Sequence, residues 1–460
     1  MLRATVACEL AGVPATALTC DAFIAQFKAT SVGLGMKNAS FATVPGHPGL
    51  QSDAALRHNT LTVTLPEVIQ GLTSSREEGG AETEPGARDI VFQGGFSATN
   101  AHFHSRGWSD GLPIVPPTRA RIEEFLRYTD RDPDEILGIP LPARRAASVW
   151  SIAVNGVMAG CLPRHMPVLV ALVEAMLDSR YGVEHSGNTP GAETLIILNG
   201  PIIQELEFNY TQGVMRDGVL ANTAIGRFWR LYLRNIAGFM HHSTDKATFG
   251  NTWRVVVPEN EEVLTRIGWP NHAVAMGLAA GDNAVTIARY VGGNLLASVS
   301  GSTPEQILPY VAEGLRNQTS WTIAFTIGVS DTLRPLVMLS PILAETIARA
   351  GWSKADVQRF LFEHSRIPAW QFERMLRDWT THETWSLADE VARGRAPALY
   401  HASDDPERLV PLVWRPEDIM LLVTGDPGRN NAYVFAHNGA WGYPVARRIV
   451  LPARWPEPRA

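Results

Sequence analysis

The pattern of apolar and polar positions in residues 1–73 predicts a compact α/β module. A helical run, ATVACELAG, precedes an apolar strand at Val13–Cys20, and Asp21 is placed to cap the helix DAFIAQFKATSVGLG. A second strand, SFATVPGHP, follows that helix. A strand, a helix and another strand favour parallel βαβ pairing. Because two or three strands do not form a stable sheet alone, we expect another element to cover this partial module.

The apolar pattern stops in SSREEGGAETEPGARD, at residues 74–89. Charged residues, Gly and Pro dominate this stretch, so we interpret it as a linker. One large domain is expected over residues 90–460. That length exceeds a typical single core, and we expect two lobes divided near residues 280–305.

The large domain shows both helical and strand patterns. GWSDGLPIVPPT (Gly107–Thr118) is too rich in Gly and Pro for regular structure, and Thr118 can cap the next helix. Helices are predicted in RARIEEFLRYT, PRHMPVLVALVEAMLD, ANTAIGRFWRLYLRNIAGF, ended by Gly238, and WSKADVQRFLFEHSRIP, where Ser353 and Asp356 form a capping box. Strands are predicted in TLIILNGP and NAVTIARYV, and EDIMLLVTGDPGRNNAYVF is predicted to form a strand, a glycine-rich turn and a further strand or helix.

These patterns predict an α/β fold class, with mixed α+β structure in the large domain. Helical and strand signals alternate without a repeated βα register, which argues against a βα barrel. We find no internal repeat in the residues themselves.

Composition excludes several classes of protein. The 460 residues carry 40 Lys+Arg against 46 Asp+Glu, and the net charge of −6 argues against bulk nucleic-acid binding. Three cysteines are too few for a disulfide framework and indicate a reducing compartment. No apolar run reaches the roughly 18 residues of a membrane span, and the first residues make a poor signal peptide. We therefore expect a cytoplasmic protein.

Cys161 is the first candidate for chemistry, because it precedes a helix that Pro163 opens. Free N–H groups and the helix dipole at such a position lower the pKa of a thiol, and His165 in the first turn would assist. The alternative is a small buried side chain without a chemical role. Cys20, at a strand end, is a weaker candidate, and Cys8 is assigned to packing.

Asp110 is the second candidate, because it lies in a rigid loop beside Trp108. An adjacent apolar ring raises the pKa of a carboxyl group, as a general acid or base requires. The alternative is an Asx turn before Gly111. Glu259 and Glu261, in the run PENEE, are further acid–base candidates.

Three arginines indicate an anionic substrate. Arg227, Arg230 and Arg234 recur three and then four residues apart, so they share one face of the predicted helix. Guanidinium groups bind carboxylates and phosphates with two hydrogen bonds. The alternative is an ion-paired helix face beside PENEE. The expected substrate-binding set consists of Arg227, Arg234, Asn222, Asn260 and Trp108.

The 13 histidines raise the possibility of a metal site. His102 and His104 would share one face of an extended stretch. The candidate ligands are His102, His104, His241, His242, Asp245 and Glu259. Neither HExxH nor a CxxC pair occurs, so we favour no cofactor and keep a divalent metal as the alternative.

GDPGRNNA (Gly425–Ala432) follows an apolar strand, where backbone N–H groups of a glycine-rich loop can hold a phosphate. The segment matches neither nucleotide-binding signature, and a plain turn is the favoured interpretation.

The order of these motifs resembles a poorly characterised bacterial family whose members accompany, or are fused to, the UGSC domain. The resemblance is carried by GWSDGLPIVPPT, VNGVMAGCLPRHMPVLVALVEAM, ILNGP, ANTAIGRFWRLYLRNIAGF, PENEE and GWSKADVQRFLFEHSRIP. GVPATALTCDAF and VPGHP, within residues 5–50, resemble the latter half of the UGSC domain itself. Neither a UGSC nor a CGSC tetrad occurs, and the chain begins downstream of its expected place. The resemblance therefore implies either a second subunit that supplies the missing half of the N-terminal sheet or a member that has lost it.

Three functions follow as hypotheses. The favoured one is an enzyme that acts on a small anionic organic molecule by thiol or acid–base chemistry, with its candidates gathered around one pocket. Its catalytic candidates are Asp110, Cys161, His165, Glu259 and Glu261. The second is a metal-dependent hydrolase or lyase, in which the metal activates water. The third is a non-catalytic subunit that positions a redox partner. We expect an oligomer without nucleic-acid or membrane partners.

Overall fold

The computed structural model describes residues 2–34, 36, 38–74, 84–253, 255–325, 332–380, 385–439 and 442–457. Within these ranges the helices are α1 (Leu2–Leu10), α2 (Ile24–Gly33), α3 (Asp53–Asn59), α4 (Leu65–Thr73), α5 (Phe96–Ser105), α6 (Arg119–Leu126), α7 (Val149–Ala159), α8 (Met166–Met176), α9 (Ile202–Glu205), α10 (Leu220–Tyr232), α11 (Glu261–Ile267), α12 (His272–Ala275), α13 (Pro304–Thr319), α14 (Pro341–Arg349), α15 (Lys354–His364), α16 (Ala369–Thr380) and α17 (Leu387–Ala392). The strands are β1 (Ala17–Cys20), β2 (Phe41–Val44), β3 (Ile136–Gly138), β4 (Ala147–Ser148), β5 (Glu193–Asn199), β6 (Val256–Pro258), β7 (Ala284–Leu296), β8 (Leu336–Leu339), β9 (Arg366–Pro368), β10 (Leu409–Pro411), β11 (Met420–Val423), β12 (Ala432–His437) and β13 (Val445–Arg448). The fold is mixed α/β, as predicted.

The N-terminal module, residues 2–74, contains the predicted parallel strand pair. β1 pairs with β2 in parallel, with Ala17 opposite Phe41. Asp21 does not cap α2; its Oδ2 accepts a hydrogen bond from the Gly46 N–H at 2.8 Å and so ties together the loops that follow the two strands. The helical segment 53–73, which consists of α3, a π-helical turn and α4, was not predicted, and α4 packs against β2.

The largest sheet has the strand order β11–β8–β12–β7–β5–β6, and β13 also pairs with β7. β5 runs parallel to β6, and β8 runs parallel to β11. The central pair, β7 and β12, is antiparallel. The predicted division near residues 280–305 falls on β7, a long strand that joins the two halves of this sheet.

The two halves repeat one topology, although the residues show no internal repeat. β5 has β6 parallel on one side and β7 antiparallel on the other. β8 has β11 parallel on one side and β12 antiparallel on the other. A helix comes before the first strand of each half. In the first half α8 precedes β5 and contacts β7, and in the second half α13 precedes β8 and contacts β12.

The sheet curls until its edge strands meet. The Asn260 N–H donates to the Val423 carbonyl at 2.7 Å, and the Thr424 hydroxyl donates to the Pro258 carbonyl at 2.8 Å. The concave face is filled by an apolar cluster from six strands, which includes Leu195, Ile197, Val257, Ala288, Tyr290, Leu336, Met338, Met420, Leu422 and Phe435. Two further clusters cover the outer face, one with α7, α8 and α10 and the other with α13, α14 and α15. The sheet is not a βα barrel, but the closure of its edges was not predicted.

Several predictions that depend on residues close together in the chain are confirmed. β5 is buried along its whole length, and the Ser353–Asp356 capping box is present. Gly238 ends the long helix with a φ of 88°, after a π-helical turn at Leu233–Ala237. Thr118 occupies the N-cap of α6, but its side chain makes no capping hydrogen bond.

The described end of the predicted linker is held on the large domain. Residues 75–83 of that segment lie outside the described residues. Beyond them, Glu84 pairs with Arg145 at 2.5 Å and Arg88 pairs with Asp134 at 2.6 Å. The hydrogen bond from Arg145 lowers the pKa of the Glu84 carboxyl. None of the helices in the described ranges is long and apolar enough to cross a bilayer.

Candidate functional site

Asp110 and Arg227 form an ion pair with two hydrogen bonds. Arg227 Nε donates to Asp110 Oδ2 at 3.0 Å, and its Nη2 donates to Oδ1 at 2.9 Å. Arg227 Nη2 also donates to the Pro113 carbonyl at 2.9 Å. Arg227 therefore holds the loop that contains Asp110 against α10. Asp110 faces a cation and not the apolar surroundings that the neighbouring Trp108 led us to expect.

Arg230, one turn further along α10, joins two carboxyl groups. Its guanidinium lies 3.3 Å from Glu193 and 3.3 Å from Asp245. Burial raises the pKa of the Glu193 carboxyl, and Arg230 opposes that rise. Glu193 in turn raises the pKa of Arg230. Glu193 begins β5 and was not among the predicted site residues.

Arg234 lies in the π-helical turn after α10, and its contacts differ from those of Arg227 and Arg230. Its Nε donates to the Gly107 carbonyl at 2.5 Å, and no carboxylate pairs with it among the described residues. Burial and the neighbouring Arg230 lower the pKa of Arg234. The Arg234 residue is partly exposed.

The π-helical turn places Arg234 and Asn235 under the Gly107–Trp108 segment. Asn235 Nδ2 donates to the Trp108 carbonyl at 3.2 Å and to Asn155 Oδ1 at 2.9 Å. Gly107 has a φ of +69°, and a Cβ there would lie 2.7 Å from Met240 Cε, so the close approach requires glycine. We call Asp110, Glu193, Arg227, Arg230, Arg234 and Asp245 the arginine cluster.

Cys161 and His165 lie nearby but lack the expected properties. Burial raises the pKa of the Cys161 thiol far above its ordinary value, and Arg227 opposes this only in part. The prediction of a lowered thiol pKa is therefore wrong, because burial outweighs the helix terminus. His165 Nδ1 accepts from the Leu162 N–H at 3.2 Å, and burial lowers its pKa to about 4. His165 is thus a neutral residue that caps a turn.

Glu259 and Glu261 belong to a second, separate cluster. Glu259 is fully buried, and its carboxylate accepts from Asn199 Nδ2 at 2.8 Å and from Lys354 Nζ at 3.1 Å. Glu261 accepts from Asn199 Nδ2 at 3.0 Å and from the Gly200 N–H at 2.8 Å. These bonds join β5, β6, α11 and α15 where the curled sheet closes, so their evident role is structural.

The two predicted asparagines also serve the fold. Asn222 is buried and donates to the Asn209 and Val256 carbonyls at 2.9 and 2.8 Å. Asn260 caps α11 by accepting from the Val263 N–H at 3.1 Å. Neither side chain lies in the arginine cluster.

The predicted histidine ligands do not converge. His102 and His104 lie two residues apart on α5, which places them on nearly opposite faces. His102 stacks on Phe92 at 4.6 Å, while His241 lies 3.9 Å from Asp245. The described residues contain no group of three or more His, Cys, Asp or Glu side chains placed to hold a metal ion. His102 and His104 would share one face only in an extended stretch, and this stretch is helical.

The segment Gly425–Ala432, for which a plain turn was favoured, uses its polar groups in hydrogen bonds within the protein. The Gly428 N–H donates to Asp426 Oδ1 at 2.8 Å, and the Asn431 carbonyl accepts from the Ser340 N–H at 3.1 Å. Asn430 Nδ2 donates to the Val299 carbonyl at 2.8 Å. The segment is a turn between β11 and β12.

Sequence reasoning missed several buried charged residues, among them Glu193, Arg289 and Lys354. Glu193 begins the apolar run of β5, Arg289 interrupts that of β7, and Lys354 follows a helix cap. Arg289 Nη2 donates to Ser186 Oγ at 3.0 Å, and its guanidinium lies 4.6 Å from the centre of the Tyr181 ring. Glu193 and Arg289 could have been found in the sequence, because each is a charged residue at the start of or inside a strongly apolar strand.

Comparison with known proteins bears on the first part of the chain. Residues 1–74 match the model of the UGSC family, which confirms the predicted association with a UGSC-type domain. Neither the curated proteins nor the solved structures yielded a match to this chain. The protein thus combines a UGSC-type N-terminal module with a curled mixed sheet and its helical layers.

Proposed function

We propose that the large domain is an enzyme for a small organic anion, which binds to Arg234 at the end of α10. The proposal depends on the exposure of the Arg234 side chain and on its hydrogen-bond partners. Its side chain is partly exposed, and no carboxylate pairs with it in the described part of the chain. Guanidinium groups in this state are common binding sites for carboxylates and phosphates.

The charges around Arg234 support an anionic ligand. Asp110 forms an ion pair with Arg227, and Asp245 and Glu193 both form ion pairs with Arg230. The positive charge of the buried Arg289 also opposes the rise in the pKa of Glu193. The arginine cluster thus holds three arginines and three carboxyl groups, and the buried Arg289 adds a further positive charge near Glu193. An arriving anion would balance this excess of positive charge.

Acid–base chemistry is better supported than thiol chemistry. A raised pKa suits a carboxyl group to proton transfer, and burial raises the pKa of the Glu193 carboxyl. Cys161 has a thiol whose raised pKa disfavours the reactive thiolate. We therefore assign proton transfer to the Glu193–Asp245 pair and anion binding to Arg234.

Thermal unfolding in different salts tests the proposal. Sodium acetate, malonate, phosphate and citrate are compared with sodium chloride at constant ionic strength. At least one of them should raise the Tm by about 2 °C or more, as saturating ligands do, and Arg234→Met should abolish the rise. Arg429→Met, an exposed arginine in the turn after β11, is the matched control. An equal rise in Arg234→Met, or none in the parent, would contradict the proposal.

The N-terminal module favours a second candidate function, a subunit that positions a partner. β1 and β2 form a two-stranded sheet. Leu61, Leu65, Ile69 and Leu72 recur along one helical stretch and are each 43–55% exposed. We propose that a second subunit adds strands to this sheet and covers the stripe; the three unpaired cysteines fit the cytoplasm as the place of assembly.

Native mass measurement tests this second candidate. The complex purified from its source cells should have a mass above that of one chain, and Ile69→Lys should return it to one chain. Val450→Lys, at a residue 76% exposed on the large domain, should leave the assembly intact. A single-chain mass for the unaltered protein would contradict the second candidate.

A further inference from the structure

Two polar contacts tie the N-terminal module to the large domain. Lys246 Nζ donates to the Ala22 carbonyl at 2.7 Å and lies 5.9 Å from the centre of the Phe23 ring. Arg3 pairs with Glu184 at 3.3 Å. Both contacts are made to loops of the large domain that also supply groups to the arginine cluster or its surroundings.

The first loop carries Lys246 directly after Asp245, which pairs with Arg230 at 3.3 Å. The second loop carries Glu184 two residues before Ser186, which accepts a hydrogen bond from Arg289 at 3.0 Å. The residues that contact the module are therefore close in the chain to residues that bind Arg230 and Arg289.

The two loops are themselves closely joined. The Lys246 N–H donates to the Gly187 carbonyl at 3.0 Å. A Cβ on Gly187 would lie 2.1 Å from the Thr244 carbonyl oxygen and 3.0 Å from Asp245 Cα. Only glycine permits this approach, so the two loops form one packed unit beneath the module.

The module meets this unit with the carboxyl edge of its parallel strands. Ala22 and Phe23 lie in the turn that follows β1, and Asp21 binds the Gly46 N–H of the loop that follows β2. The carboxyl edge is the side of a parallel sheet at which ligands are usually bound. The module therefore faces the loops of the arginine cluster with the carboxyl edge of its strands.

We propose that Lys246 is a positioning residue that couples docking of the N-terminal module to anion binding at Arg234. Docking fixes Lys246, Lys246 fixes the adjacent Asp245, and Asp245 holds Arg230 beside Arg234. The inference rests on the proposed function of the arginine cluster. Because coupling between two sites is reciprocal, a bound anion also strengthens docking of the module.

Calorimetric titration tests the first direction of the coupling. The probe is whichever of sodium acetate, malonate, phosphate and citrate stabilises the parent protein most. Lys246→Met should raise its Kd by about 5-fold to 20-fold, within the usual range of coupling energies. Lys246→Arg keeps the charge and should stay within about twofold of the parent. Lys28→Met removes a lysine whose aromatic contact, with Phe41, lies inside the module, and is the control.

Alkylation of Cys20 tests the reciprocal direction. Cys20 is partly exposed and lies two residues before Ala22, and Cys8→Ser removes the other accessible thiol of the module. The probe anion should slow alkylation by the neutral reagent N-ethylmaleimide at least about threefold in this background, but not after Lys246→Met. A purely structural role of Lys246 would change the Tm without this dependence on the anion.

The outcomes separate the two proposals. If no anion binds the parent protein, the proposed function is wrong and the coupling falls with it. If the anion binds through Arg234 but Lys246→Met leaves both its Kd and the alkylation of Cys20 unchanged, only the coupling is wrong.

Discussion

Glu193 and Asn199 lie at opposite ends of β5 and belong to different clusters of polar residues. Glu193 pairs with Arg230, whereas Asn199 donates hydrogen bonds to both Glu259 and Glu261. They are six positions apart along the extended strand, which is a separation of roughly 20 Å. The residues predicted to surround one pocket are therefore divided between an arginine cluster and a structural cluster at the closure of the sheet.

The ion pair of Asp110 and Arg227 should anchor the Gly107–Thr118 loop. The two side chains are 7% and 16% exposed, so Arg227→Met leaves a largely buried carboxylate without its cation. We expect the free energy of unfolding to fall by about 1–3 kcal/mol in urea titration. Asp110→Asn combined with Arg227→Met should cost less than the two single changes together, because both remove one interaction.

Arg121→Met is the control for that experiment. Arg121 is exposed and donates to the Pro116 carbonyl of the same loop. Its loss should cost less than about 0.5 kcal/mol. Additive effects of Asp110→Asn and Arg227→Met would show that the pair does not act as a unit.

Cys161 should be chemically silent in the folded protein. The side chain is buried and its thiol pKa is raised, whereas Cys8 is exposed and Cys20 partly so. We expect N-ethylmaleimide to modify Cys161 at least about tenfold more slowly than Cys20, and all three thiols to react alike in urea. Peptide mass mapping measures the three rates. Equal rates for Cys161 and Cys20 in the folded protein would contradict this prediction and support a thiol mechanism.

Glu259 should prove to be a structural residue. Glu259→Gln leaves Lys354, whose side chain is 9% exposed, without its counter-charge, and we expect a loss of about 3–5 kcal/mol in unfolding free energy. Adding Lys354→Met should recover part of that loss. Glu305→Gln, on the exposed first turn of α13, should cost less than about 1 kcal/mol. The role is catalytic instead if Glu259→Gln abolishes activity at unchanged stability.

Signals within a few residues could be read from the sequence because they depend on local geometry. The capping box at Ser353, the terminal Gly238 and the uninterrupted apolar run of β5 are of this kind. The contact of Asp110 with Arg227 spans 117 residues along the chain. Each partner was singled out alone, but their pairing depends on how the loop crosses α10.

Burial was the property that local patterns could not supply. The position of Cys161 before a turn predicted an easily ionised thiol, yet desolvation acts in the opposite direction and is larger. Glu193 and Arg289 are charged residues whose partners come from α10 and from the 181–186 loop. The closure of the sheet likewise depends on contacts between Asn260 and Val423, which no local pattern encodes.

Buried histidines should make the protein sensitive to acid. Burial lowers the pKa of His165 to about 4 and those of His272 and His437 to about 3. The unfolded chain binds protons at these positions below pH 6.5, while the folded chain stays neutral there. Their contribution to stability is therefore full above pH 6.5 and is lost as the pH falls toward 4, by up to about 1.4 kcal/mol per pH unit for each histidine.

Urea titrations between pH 7 and 4.5 measure this slope. Glu193 contributes with the opposite sign, because its raised pKa favours the folded state as the pH falls. His437→Gln keeps a donor toward the Gly442 carbonyl and should flatten the slope, whereas the exposed His104→Gln should not. A slope that is unchanged in His437→Gln would contradict the assignment.

The binding of a small anion at Arg234 is tested most directly by calorimetric titration of the intact protein. Sodium malonate and sodium phosphate are titrated into the parent, Arg234→Met and Arg429→Met at constant ionic strength. We predict that the parent and Arg429→Met bind at least one of the two anions with equal affinity, and that Arg234→Met binds it at least about tenfold more weakly. Equal affinity in the parent and Arg234→Met, or a loss confined to Arg429→Met, would contradict the assignment of the anion site.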